Sequence, residues 1–181
     1  MKNYVFNTAQ VFLAFVIALG FAASSIQASG FDAPKDGGGI PGTVPMFRLY
    51  NGSDHLYTTS EVERKKAMAD FGYKNDEGIA CYVFPCQVAG SLPLYRLYNG
   101  VDHLYTTSEV ERKKAMADFG YKNDEGITGY IFPTQVAGSV PLYRLYNGRD
   151  HLYTTSEVER KKALTEFGYT TDEGIAGYVF N

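Results

Sequence analysis

Leu94-Tyr95-Arg96-Leu97-Tyr98-Asn99-Gly100-Val101-Asp102-His103-Leu104-Tyr105-Thr106-Thr107-Ser108-Glu109 decides the fold, because the chain contains this stretch three times with few changes. His55, His103 and His151 fall at a spacing of 48 residues, and Ser60, Ser108 and Ser156 repeat it. Leu94 to Asn99 is rich in strand-forming residues and reads as a strand. Asn99-Gly100 tolerates the positive φ of a tight turn, and His103 to Thr107 is the returning strand. Ser108 with Glu111 three residues later predicts a capping box, the hydroxyl taking the free amide while the carboxylate reaches back. A helix then runs to about Phe119, and Gly120 ends it in the left-handed conformation.

Beyond the quoted stretch, Tyr121 to Gly126 reads as a polar turn and Ile127 to Phe132 as a third strand closed by Pro133. Gln135 to Ser139 is a candidate short fourth strand. On the helix, Arg112, Ala115, Met116 and Phe119 share one face, so they are expected to pack on the sheet. Ala117 and Asp118 change to Thr165 and Glu166 in the third unit and are expected to face water. The Arg112 guanidinium is expected on a neighbouring carboxylate such as Glu125, or on strand carbonyls.

The units span residues 45–92, 93–140 and 141–181. The third stops at Phe180-Asn181 and lacks the Gln-Val-Ala-Gly segment that follows the other two. Gly42-Thr43-Val44-Pro45 parallels Gly90-Ser91-Leu92-Pro93, so the Gly/Pro-rich arm over 29–44 is expected to supply that piece from the other end. The fold expected is α+β: three ββαβ repeats in a closed pseudo-three-fold, β-trefoil-like arrangement with one helix per lobe. The alternative is a linear solenoid of three units.

Residues 1–28 have the layout of a secretory signal peptide: Lys2, an apolar run from Val11 to Phe21, then small and polar residues to Ala28. That run is short against the ~20 residues of a membrane span. The expected localisation is secreted or periplasmic, with no membrane association after cleavage. A net charge of -3 with mixed signs gives no electrostatic case for nucleic acid. Cys81 and Cys86, in the first unit only, form a possible disulfide in an oxidising compartment. Two thiols do not complete a zinc set, and no cofactor is expected.

Two readings stay open for Asp54, His55, Tyr57, Asp102, His103, Tyr105, Asp150, His151 and Tyr153. As a ligand-binding set, carboxylate, imidazole and aromatic ring suit a sugar, which offers paired hydroxyls and an apolar face. As structural residues, Asp closes the hairpin turn and His bonds the adjacent strand. A third reading, histidines converging on the three-fold axis as metal ligands, is subordinate, and no metal site is assigned. No catalytic residue is assigned either: capping accounts for Ser108, and every candidate carboxylate pair is present three times. Tripled sites suit multivalent binding. Ser53, Val101 and Arg149 share one hairpin-tip position with unrelated chemistry. That tip is either merely solvated or tunes three related sites.

The motifs L-Y-R-L-Y-N, D-H-L-Y-T-T-S-E-V-E-R, F-G-Y and E-G-I-x-G-Y-x-F resemble those of an uncharacterised secreted repeat-domain family, a domain of unknown function. That family occurs alone, appended to exported bacterial hydrolases, and in fungal secreted proteins. The resemblance covers Pro45 to Asn181; many members carry Trp where this chain has Tyr73, Tyr121 and Tyr169. It implies an accessory role at a cell wall or glycan surface, and the family has no assigned catalytic residues. The expected function is therefore a non-catalytic module for carbohydrate or cell-surface recognition. The alternative is a structural or protein-interaction domain, including an inhibitor of a secreted enzyme.

Overall fold

The computed structural model describes residues 39–181; the signal peptide expected over 1–28 and arm residues 29–38 lie outside the described residues. The first lobe comprises β1 (Val44–Tyr50), β2 (His55–Thr58), α1 (Glu61–Asp70) and β3 (Asn75–Val83). The second comprises β4 (Leu92–Tyr98), β5 (His103–Thr106), α2 (Glu109–Asp118) and β6 (Asn123–Ile131). The third comprises β7 (Val140–Tyr146), β8 (His151–Thr154), α3 (Glu157–Thr165) and β9 (Thr171–Val179). Each lobe is an antiparallel three-stranded sheet with its first strand in the middle, in the order β2-β1-β3 and its equivalents.

The central strand is buried on both faces, and its sequence shows why. Leu94, Arg96 and Tyr98 alternate with Tyr95 and Leu97, as a strand requires. Leu94 joins a cluster shared by all three lobes, whereas Leu97 packs with Leu104, Ala115 and Tyr121 beneath its own helix. The shared cluster surrounds the pseudo-three-fold axis and contains Tyr57, Tyr105 and Tyr153, at most 1% exposed. These rings meet edge to face with centroids 5.4 Å apart. The Tyr105 hydroxyl accepts the Tyr57 N–H at 2.8 Å and donates to the Tyr57 carbonyl at 2.7 Å. Tyr153 does the same to Tyr105, and Tyr57 to Tyr153, which closes the cycle.

The ring also closes at its rim. Bridges join Phe84 to Tyr130, Phe132 to Tyr178 and Tyr82 to Phe180, and Phe84, Phe132 and Phe180 pack edge to face. At the seam, the Gly39 N–H donates to the Asn181 carbonyl at 2.8 Å. The Thr43 hydroxyl bonds Ile40 in the same turn that Ser91 makes with Val88 and Ser139 with Val136. The arm thus makes beside the third lobe the turn that Val88 to Ser91 and Val136 to Ser139 make after the first two, and the three lobes form a closed ring.

Four local expectations are corrected. The Ser108 hydroxyl accepts the Glu111 amide at 3.2 Å, but the Glu111 carboxylate leaves the box for Arg144, and Thr106 takes the Ser108 amide instead. The expected helix face is not a buried stripe: Ala115 is buried, while Met116 is 39% and Phe119 60% exposed. Leu97, Leu104 and Tyr121 already fill the space under the helix, which therefore leans on its one small residue. Arg112 does sit on neighbouring carboxylates as expected, Asp124 and Glu109 in place of Glu125, which Arg96 occupies, and it stacks on Tyr95 at 4.2 Å. Finally, β6 begins at Asn123, inside the expected polar turn, and Gln135 to Ser139 is a turn and no strand. The β4–β6 pairing slips twice, leaving Glu125 and Thr128 as extra residues. Such bulges let a polar stretch stay in the ladder while its side chains are re-aimed.

Candidate functional site

The four-residue loop from Asn99 to Asp102 joins β4 to β5, with Tyr98 paired to His103. The Asn99 carboxamide accepts the amides of Val101 and Asp102 at 2.8 Å, which fixes the tip and sends Asp102 inward. Asp102 crosses to the next lobe. It accepts the His151 backbone N–H at 2.9 Å and the His151 Nδ1–H at 2.6 Å, and the Tyr121 hydroxyl also donates to it. Asp54 makes these contacts with His103 and Tyr73, and Asp150 with His55 and Tyr169. One carboxylate oxygen from each aspartate lies within 4.8 Å of the others, so aspartates rather than histidines converge on the axis.

Each histidine presents its other nitrogen to a glutamate: His103 Nε2 lies 3.4 Å from Glu125, the residue that the bulge turns inward. His151 faces Glu173 at 3.5 Å and His55 faces Glu77 at 3.7 Å. Glu125 also meets the Arg96 Nε at 2.8 Å, and the other end of Arg96 grips Glu63 of the preceding lobe through two bonds of 2.7 and 2.9 Å. Arg144 and Arg48 repeat this clamp with Glu111 and Glu159. Burial alone would lower the His103 and His151 imidazoles, but Asp54 with Glu125, and Asp102 with Glu173, outweigh it and raise both above the ordinary histidine value. Burial raises the Glu63, Glu111 and Glu159 carboxyls, yet their arginine partners hold all three below the usual range.

This polar seam forms the back of a groove between neighbouring lobes. The grooves number three, with volumes of about 400, 400 and 370 Å³. In the first, Glu63 and Glu125 stand beside His103, with Tyr98 stacked on the imidazole at 4.3 Å. Leu56 and Tyr73 contribute apolar surface, Asn51 comes from the hairpin tip, and Phe71 stands at the rim, 61% exposed. Equivalent residues of the same types line the other two, including the groove that crosses the seam between the third and first lobes. The third unit's changes at Leu164, Thr165, Glu166, Thr170 and Thr171 all fall outside them. Two carboxylates, an imidazole, an amide and three aromatic rings can bond paired hydroxyls and stack on an apolar face.

The nine candidate ligand residues separate. His55, His103 and His151 line the grooves. Asp54, Asp102 and Asp150 are at most 2% exposed and act behind the histidines, positioning them. Tyr57, Tyr105 and Tyr153 are withdrawn to the axis with both hydrogen-bonding roles of each hydroxyl filled, so direct ligand contact by them is corrected. The possible Cys81–Cys86 disulfide is also corrected, since both thiols are free. Cys81 is buried in β3, and extended backbone through Val83 carries Cys86 away at ~3.3 Å per residue. Burial pushes the Cys81 thiol up to about 12. The sequence reading missed the clamps Arg48, Arg96 and Arg144, whose one visible signal is a charge in the middle of a strand of Leu and Tyr.

No curated protein matches this chain, and no solved structure does. One family model matches residues 3–132 and again 91–180, aligning the second unit twice as three tandem units require. The chain belongs to the family described as Domain of unknown function (DUF5648).

Proposed function

We propose that this protein is a non-catalytic, exported binding module whose three inter-lobe grooves take carbohydrate on a glycan or cell-envelope surface. The observation that carries the reading is the threefold presence of one groove with aromatic walls, a polar back and an open aromatic rim. Pyranose recognition combines stacking on an aromatic ring with planar polar groups aimed at vicinal hydroxyls, and the groove supplies both. Turnover is disfavoured by the same geometry. A glycosidase needs one carboxyl raised to serve as acid. Here Glu63 and Glu125 are both depressed, the first by Arg96 against burial, the second by His103 and Arg96 against burial. Three sites on one body gain avidity without new contacts.

A glycan array followed by calorimetry tests the reading. The expected result is three equivalent sites per chain, each weak, with avidity on a multivalent surface. Phe71→Ala, Phe119→Ala and Phe167→Ala together should abolish binding and leave the melt unchanged, because these rings are 59–61% exposed. A silent array would favour a protein-interaction domain instead, for which Val62, Val110 and Val158, 65–77% exposed on the helices, would supply apolar contacts.

A further inference from the structure

We propose that the three grooves share a floor but differ in ligand class at the mouth, and that the groove between the third and first lobes takes an acidic pyranose, a uronic acid, through Arg149. This rests on the carbohydrate reading above. The asparagine of each tip lines a groove, and the variable residue stands two positions beyond it: Ser53 after Asn51, Val101 after Asn99, Arg149 after Asn147. Each asparagine accepts the amide of that variable residue at 2.8–2.9 Å, so the three tips share a backbone and differ in the side chain.

Arg149 is exposed, and among the described residues it is the one arginine of the chain's seven without a carboxylate partner. Asn147 and Tyr50 both line the third groove, and Arg149, two residues from Asn147, carries a charge near enough to act on the Tyr50 phenol. Burial, Asp150 and Glu77 raise the Tyr50 phenol, and Arg149 acts against them. Tyr98 and Tyr146, at the same place in the other grooves, feel no such cation. A free guanidinium presents paired N–H donors matched to a carboxylate. The arginine clamps and imidazoles of the floor are already engaged by the groove glutamates, so a groove without this tip arginine offers no unpaired cation to a sugar acid. Grooves with Ser53 and Val101 are left to neutral sugars.

The test is calorimetric titration of the full chain with a glucuronic acid-containing disaccharide and with its neutral glucose counterpart. The expected result is one site for the acidic sugar, roughly three- to tenfold tighter than the neutral sugar at that groove. The neutral sugar should occupy all three. Arg149→Ser should remove the acidic preference, and Ser53→Arg should create a second acidic site; Arg149 is exposed, and the half-buried Ser53 holds a tip position that the other lobes fill with Val101 and Arg149, so folding is not at stake. Equal binding of the two sugars at every groove, or an unchanged preference in Arg149→Ser, would overturn the proposal while leaving the grooves as sugar sites. Silence of both sugars would overturn the groove reading and this one with it.

Discussion

Replacing Tyr105 by Phe deletes a single hydroxyl from the pseudo-three-fold axis and leaves the ring in place. That hydroxyl serves both the N–H and the carbonyl of Tyr57, at 2.8 and 2.7 Å, in a position 1% exposed. The Tyr57 carbonyl keeps only a long contact from Arg96 at 3.5 Å, and the N–H keeps nothing. A buried polar group stripped of its partner costs about 1–3 kcal/mol, so the pair costs roughly 2–6 kcal/mol. Against a total stability of about 5–15 kcal/mol, one such change is severe and the triple replacement at Tyr57, Tyr105 and Tyr153 should not fold. Urea unfolding measures it: with a slope of about 1–3 kcal/mol/M, the Tyr105→Phe midpoint should drop by on the order of 1–2 M with the slope unchanged. Groove binding per folded molecule should stay as it was, since Tyr105 lines no groove. A variant within about 0.5 kcal/mol of wild type, the scatter of ordinary surface changes, would refute the claim that these hydroxyls join the lobes.

Stability should peak on the mildly acidic side of neutrality. His103 and His151 are raised in the folded state, so their contribution is complete below the ordinary value of 6.5 and is lost as pH rises through the folded values. The clamped Glu63, Glu111 and Glu159 are depressed, so theirs is present above the ordinary 4.5 and is lost as pH falls through the folded values. The melting temperature followed over this range should therefore be highest between about pH 5 and 6.5. A flat profile from pH 6 to 8 would contradict the histidine assignment. Truncation to a chain beginning at Pro45 removes the Gly39–Asn181 bond and the buried Thr43 turn. It should cost about 1–3 kcal/mol; an unchanged melt would show that the arm only links.

Much of each lobe was legible because it depends on neighbours in sequence. The alternation of Leu94, Arg96 and Tyr98 with Tyr95 and Leu97 shows a strand, while its burial on both faces came from the packing. Ser108 before Glu111 marks the helix start, and Gly120, at φ 78°, marks its end. The parallel of Gly42-Thr43-Val44-Pro45 with Gly90-Ser91-Leu92-Pro93 pointed to a closed ring but left a linear solenoid of three units open, and the Gly39–Asn181 bond decides for the ring. What escaped was every choice of partner across lobes. Nothing local separates Tyr105, sealed on the axis, from Tyr98, open to a groove, since both are strand tyrosines beside apolar neighbours. Nothing local sends the Glu111 carboxylate to Arg144, 33 residues on, rather than back to its own cap. Repetition determined that there would be three like lobes and three like grooves. Only the packing of lobe against lobe decided which tyrosines became core and which histidines faced a groove, because those positions are set by contacts between residues one full repeat apart, where propensity and spacing carry no information.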